Sequence, residues 1–334
     1  MSQHNDRYQL VGIGNAIVDV LTQCDDSFLE HMGIEKGIMQ LIEKGRAETL
    51  YGAMTERTQA PGGSVANTIA GVGALGLKTA FIGRVHDDAL GRFYAEAMQA
   101  EGTDFANAPV AGGDLPTSRS MIFVSPDGER SMNTYLGISA DLGPDDVPAE
   151  VAGCAELLFL EGYLFDKDKG KAAFLEAARQ CRAGGGRPGI TLSDPFCVDR
   201  HRDDFRTLIQ GEMDFVIGND EEWKSMYQTE DLSAALEQAA EACETVVCTC
   251  SGDPVRILSQ GTHVAVPVNR VTPVDATGAG DQFAAGFLSG LAQGLPMEAC
   301  GRMGCIAAAE VIQHMGARPQ RDIAALFRDA GLMA

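Results

Sequence analysis

Aromatic side chains are scarce in this chain: one tryptophan, and only 6% Phe, Trp and Tyr together. Long apolar runs are absent too, none approaching the roughly 18 residues that a membrane-spanning helix needs, so no membrane partner is expected. Positive charge is short, with 26 Lys and Arg against 47 Asp and Glu and a formal net charge of −21. That balance leaves no basic surface for nucleic acid. The nine cysteines are odd in number, scattered, and contain no Cys-x-x-Cys pair. Reduced core thiols in a cytoplasmic protein fit this pattern better than a disulfide framework or a zinc site. Met1–Arg7 is polar, with no apolar segment behind a basic start, so no secretory leader is expected. The phosphate-loop signatures Gly-Lys-Ser and Gly-Lys-Thr are also missing.

What is present is a large apolar fraction, 45% of 334 residues, enough for one big α/β domain with a smaller appendage. From Ala155 onward strands and helices alternate: strands at 156–160, 189–193 and 214–217, helices at Asp168 to Arg182 and about Val198 to Ile209. Alternation of this kind predicts a parallel sheet covered by helices on both faces, with ligands beyond the C-terminal ends of the strands. The intervals 34–61 and 105–135 look different. The second holds two alternating segments joined by Pro126-Asp127-Gly128, a hairpin signal. Together they predict a small β lid, leaving residues 1–33, 62–104 and 136–334 for the large domain.

The stretch that draws most attention is Asp275-Ala276-Thr277-Gly278-Ala279-Gly280-Asp281, between an extended run (Val264 to Val274) and a helix beginning near Asp281. A small-residue turn leading into a helix gathers backbone N–H groups and the positive end of the helix dipole at one point, a site for an anion. A carboxylate there, Asp281, would repel the anion unless it takes a proton, as phosphoryl transfer from a nucleotide to an alcohol requires. The plain alternative is a helix cap.

Other polar residues fall where the same ligand would be met. Asn15 and Asp19 follow the first strand, and Asp19 is suited to accept from two vicinal hydroxyls; both are also ordinary turn residues. Gly62 and Gly63 precede a helix and allow close approach of a ligand, with Asn67 one turn in. Asn219 and Glu222, three apart at a helix start, suit either a magnesium water shell or simple dipole complementation. Thr249, Ser251 and Gly252 end a buried strand within reach of a nucleotide phosphate. His314 closes a small-residue helix, either as a dipole partner or as the wall of a base pocket. Gly71-Val72-Gly73-Ala74-Leu75-Gly76 satisfies G-x-G-x-x-G but ends a helix and precedes a strand, the reverse of a dinucleotide site.

Taken together, Gly62-Gly63-Ser64-Val65-Ala66-Asn67, the Asn219-to-Glu222 spacing and the terminal heptapeptide resemble the ribokinase-like (PfkB) family of sugar and nucleoside kinases, from Gly12 to Pro319. The resemblance implies a ribokinase-like three-layer α/β sandwich with a mainly parallel central sheet and a small β-sheet lid. It implies transfer of the ATP γ-phosphate to a primary alcohol, with Asp281 as the base and Gly278, Ala279 and Gly280 as the anion hole, Thr277 beside them. Asn219 and Glu222 would serve Mg²⁺, and a monovalent cation such as K⁺ would sit near Asp275. Gly14-Asn15, Asp19 and the glycine stretch are similar to the adenosine kinase branch. In that branch Arg130 matches a lid arginine near the phosphate, and Tyr163, Leu164 and Phe196 match a base pocket. An adenosine-like nucleoside is the expected acceptor, a sugar such as ribose, fructose or 2-keto-3-deoxygluconate the alternative, and a non-catalytic nucleoside binder a third reading. The expected assembly is a monomer or a homodimer through the lid.

Overall fold

The computed structural model describes residues 7–333; the polar residues 1–6, part of the segment read for a leader, lie outside them. Strand β1 (Tyr8–Ile13) is central because it is apolar on both sides, Leu10 packing into one core and Val11 and Ile13 into the other. On one flank stand β5 (Thr79–Ile82) and β6 (Thr103–Phe105). On the other follow β9 (Ala155–Glu161), β10 (Arg187–Thr191), β11 (Phe215–Asn219), β12 (Thr245–Cys250), β13 (Asp253–Ser259) and β14 (Thr262–Val266). The nine-stranded sheet is parallel from β6 to β12; β13 runs against it, pairing antiparallel with both β12 and β14. Buried residues fall into one apolar core on each face, giving the three-layer α/β sandwich.

The second sheet has five strands: β3 (Met39–Leu41), β8 (Arg130–Tyr135), β7 (Ser118–Val124), β2 (Ile17–Gln23) and β4 (Thr58–Gly62), in that spatial order. Strand β2, from the segment assigned by sequence to the large domain, sits in this small sheet, paired with β7 and β4. Its alternating burial fits a sheet with one covered face, which three polar residues among seven had disguised as a loop. Registers place Leu41, Thr134, Ser120 and Asp19 in a single row across four strands. The turn between β7 and β8 closes through Ser125 and Glu129, with Gly128 at a φ of 88°.

Two differences from the sequence pattern have simple causes. The helix expected from about Val198 starts at Pro195, because the Asp194 carboxylate accepts from the Cys197 N–H and proline suits the first helical position. The extended run expected to reach Val274 leaves the sheet at Val266, where Pro267 has no N–H to donate. The following irregular segment delivers Asp275 to the helix Ala279–Ala292. That helix packs on Ser64–Ala74 and Met297–Val311 at glycines: Gly71 meets Gln282 and Ala285, and Gly286 meets the Met303 carbonyl.

Gly63 has a φ of 99°, and a Cβ there would collide with the Asn15 carbonyl oxygen, which is backbone and cannot yield. Gly63→Ala is therefore expected to lower the unfolding free energy by about 2 kcal/mol or more in denaturant titration. An unchanged midpoint would show that this junction is looser than its geometry.

Candidate active site

One cavity of about 630 Å³ lies between the two sheets, beyond the C-terminal ends of the strands of the large one. Its walls include Asp19, Met39 and Leu41 from the lid, Asn67 from the glycine-led helix, Asn219 and Thr249 from the far strands, and the segment 276–281.

Asp281 stands in the first turn of the helix Ala279–Ala292. Its carboxylate accepts from the Ser64 hydroxyl at 2.7 Å and from the Asn67 amide at 3.0 Å, and its backbone carbonyl accepts from the Thr68 hydroxyl. The positive end of the helix dipole alone would favour the ionised carboxylate. Instead burial dominates and pushes the acid up to about 6, against the lowering effect of the Asn67 and Ser64 hydrogen bonds. Before it, Gly278 bends at a φ of 81°, where a Cβ would lie 2.6 Å from the Ala317 Cα. The Ala279 N–H turns back to the Ala276 carbonyl, whereas those of Gly280 and Asp281 meet no protein acceptor among the described residues.

Asp19 lines the same cavity, and its carboxylate accepts no hydrogen bond among the described residues. Burial raises it to about 6, with Arg130 and Arg318 pulling it down and Asp281 pushing it up. Asn15 is committed elsewhere: its amide donates to Glu161 at 2.8 Å and its oxygen accepts from Ser139. Gly62 abuts the Asp19 carboxylate, with no room for a Cβ, and lies behind the cavity wall.

Glu161, at the end of β9, went unnoticed in the sequence. It is 1% exposed, lines the cavity, and accepts from Asn15 and from the Val65 N–H at the N-terminus of the helix Ser64–Ala74. Burial raises it to about 7 despite those donors, with Asp281 adding to the rise. Its position after an apolar strand, equivalent to Asn219 after β11, was the available signal.

Asn219 and Glu222 close on each other as a capping box: Glu222 accepts from the Asn219 N–H and amide, and Asn219 accepts from the Glu222 N–H. Both still line the cavity, and burial raises Glu222 to about 7. Among the described residues no group of three or more His, Cys, Asp or Glu is placed to hold a metal.

Several expected residues lie off the cavity. Arg130 reaches across from the lid to pair with Asp275 at 2.7 Å, both side chains 8% exposed. Asp275 also accepts from the Thr277 and Gly316 N–H groups. Its carboxylate is thus paired and hydrogen-bonded within the protein. Leu164 belongs to the buried core under β9, leaving Tyr163 and Phe196 on the wall, Phe196 75% exposed. Ser251 and Gly252 form the β12–β13 turn outside the cavity, and His314 pairs with Glu310 at 3.2 Å. Among the described residues no helix is long and apolar enough to cross a membrane.

Residues 37–323 match the profile of the pfkB family carbohydrate kinases. A probable sugar kinase from Rhizobium etli, 44% identical, superposes with a TM-score of 0.89 over 98% of this chain and 100% of its own. The adenosine kinase of Sinorhizobium meliloti is equally alike, at 44% identity and a TM-score of 0.89 over 97% and 99%. A fructokinase of Klebsiella pneumoniae is 31% identical over 71% of this chain and 79% of its own.

Asp19 has a raised pKa and accepts from no donor among the described residues, so ionising it in the fold costs stability. The penalty is absent below the unfolded value near 4, grows as pH rises, and is complete above about 6. Asp19→Asn is expected to raise stability at pH 8 by about 2 kcal/mol and by about half as much at pH 5, in paired thermal or urea melts. Equal gains at both pH values would contradict this account.

Proposed function

This chain belongs to the pfkB family of carbohydrate kinases, and on that premise we propose that it transfers the γ-phosphate of ATP to the 5′-hydroxyl of an adenosine-like nucleoside. The observation that carries the choice of acceptor is the row Leu41, Thr134, Ser120, Asp19 on the cavity face of the lid. Its ends are three strand spacings apart, about 14 Å. Asp19 offers one end a receptor for two vicinal hydroxyls. At the other end Met39 and Leu41 are 47% and 53% exposed, joined on the cavity wall by Met132 and Leu136. A single sugar ring spans too little of that distance to cover the apolar end, whereas a ribose carrying a base reaches both.

In this reading the reacting hydroxyl meets Asp281, which Ser64 and Asn67 hold in one orientation. Its oxygen attacks the γ-phosphorus, the proton passes to the Asp281 carboxylate, and the bond to the ADP oxygen breaks. The free N–H groups of Gly280 and Asp281 stabilise the charge on the transferred group without having to reorganise. Glu222, fixed by Asn219, fits the outer shell of a magnesium ion arriving with ATP; burial, with Asp194 and Asp220 nearby, raises its pKa to about 7, and a cation there would lower it again. Such an ion supplies charge neutralisation to the phosphates. Arg130, paired with Asp275, draws the lid onto the anion loop and keeps water from the reacting groups. The second reading, a sugar-acid acceptor, is favoured by Arg200, a guanidinium on the cavity wall.

ADP release with adenosine, guanosine and inosine against ribose, fructose and 2-keto-3-deoxygluconate tests the acceptor; turnover of free sugars alone would sink the nucleoside assignment and leave the kinase standing. For the base, kcat/KM is expected to fall below pH 6, as Asp281 takes up its proton, and to level off above it. Asp281→Asn is expected to lower kcat by about 10³-fold. Turnover by that variant close to wild type would remove Asp281 from the reaction.

A further inference from the structure

The end of β12 carries a pair of thiols for which the proposed reaction has no use. Cys248 and Cys250 are two apart on one strand, so their side chains leave the same face while Thr249 between them faces the cavity. Successive same-face Cα atoms lie about 6.6 Å apart in an extended strand, within the span of a disulfide. The pairing of β12 with β13 is irregular between the two cysteines, and their sulfurs stand 3.7 Å apart. No other two sulfurs among the described residues come within hydrogen-bonding distance. Cys248 is fully buried and Cys250 partly exposed. Directly beyond lie Ser251 and Gly252, both at positive φ, so the pair sits where the sheet ends and the hairpin turns.

The two thiols are chemically unequal. Whichever ionises first is stabilised by the S–H of the other, and the contact favours Cys250 as the thiolate while raising Cys248. Arg256, opposite Cys248 on β13, supports the negative charge, and Asp220 and Asp253 oppose it. An accessible thiolate beside a buried resolving thiol is the arrangement that a peroxide oxidises.

We propose that Cys248 and Cys250 form an oxidative modification site, closed by a hydroperoxide into an intramolecular disulfide that weakens nucleotide binding at Thr249. The Cys250 thiolate attacks one peroxide oxygen, giving a sulfenic acid and releasing hydroxide. The Cys248 sulfur then attacks the sulfenic sulfur, forming the S–S bond and expelling the hydroxyl group, which leaves as water with the thiol proton. The sum is two thiols and one hydrogen peroxide giving one disulfide and two waters. Bonded sulfurs lie about 2.05 Å apart, so closure draws in the backbone on both sides of Thr249, whose neighbour in register is Asn219. Both line the nucleotide end of the cavity and neither touches the lid row.

The bridge stands whatever the acceptor, and only its effect on ATP rests on the kinase reading; the test therefore reads both. Full-length protein is titrated with hydrogen peroxide and followed by intact mass, peptide mapping and ATP binding. Expected are a loss of about 2 Da localised to the peptide holding both cysteines and its reversal by dithiothreitol. ATP affinity is expected to weaken by about threefold or more, with the acceptor KM nearly unmoved. Cys250→Ser should keep basal activity and lose the response. Stepwise oxygen addition at Cys250 without a bridge, or bridging through other cysteines, overturns the site. A mapped bridge with unchanged ATP affinity overturns its coupling to the nucleotide, and Cys250→Ser protein that still responds to peroxide does the same.

Discussion

The structure turns on the hydrogen bonds that fasten Asp281 to the helix Ser64–Ala74. Two helices, separated in sequence by some two hundred residues, each open towards the cavity, and without a link their N-termini would present positive dipole ends to one another across it. Ser64 and Asn67 donate to the Asp281 carboxylate, Thr68 donates to its carbonyl, and Gln282 donates to both Asn67 and Ala317. The acid is thus a clamp as well as the proton acceptor proposed above. Two donors and a fixed position narrow its geometry before any substrate arrives, so in the proposed transfer the proton would land on a group whose orientation is already determined.

Around that clamp the protein tolerates an unfavourable concentration of negative charge. Asp19, Glu161, Asp281 and Glu222 all line one cavity, and burial raises every one of them. Structural satisfaction differs among them. Glu161 is used up by Asn15 and Val65, and Glu222 by Asn219, whereas Asp19 accepts no hydrogen bond among the described residues. The unsatisfied acid is the one on the small-sheet side of the cavity, where in the proposed reading a ligand's hydroxyls would supply what the protein withholds. Arg318, itself buried and lowered to about 10, lies near enough to Asp19 to temper its charge while spending its own donors on Asn67 and pairing with Glu101.

Much of this was legible in the sequence. The turn 278–281, the glycines before Ser64 and the strand–helix alternation all follow from local rules of capping and periodicity, and each lies where those rules put it. The rest depended on distant partners. Strand β2 reads as loop because Asp19 and Thr22 interrupt it, and only pairing with β7 and β4 makes it a strand. Glu161 looks like the polar end of a buried strand until Asn15 and Val65, remote in sequence, are seen to donate to it. Arg130 carries a charge whose partner, Asp275, is 145 residues away. The acidity of Asp281 was misjudged for the same reason: the helix dipole is local and visible, whereas desolvation comes from the whole assembled fold.

The row across the lid has a consequence for how such a molecule diversifies. In the proposed assignment the contacts that would distinguish one acceptor from another lie on short strands whose side chains alternate, so exchanging Leu41 or Thr134 alters a single wall position and leaves the neighbouring backbone hydrogen bonds intact. The phosphate-facing amides and Asp281 belong to a separate layer, tied by their own bonds. Acceptor preference and chemical machinery are therefore independently heritable. One scaffold can pass between small polar alcohols and larger, partly apolar ones by drift in a handful of codons, with the reaction itself never at stake.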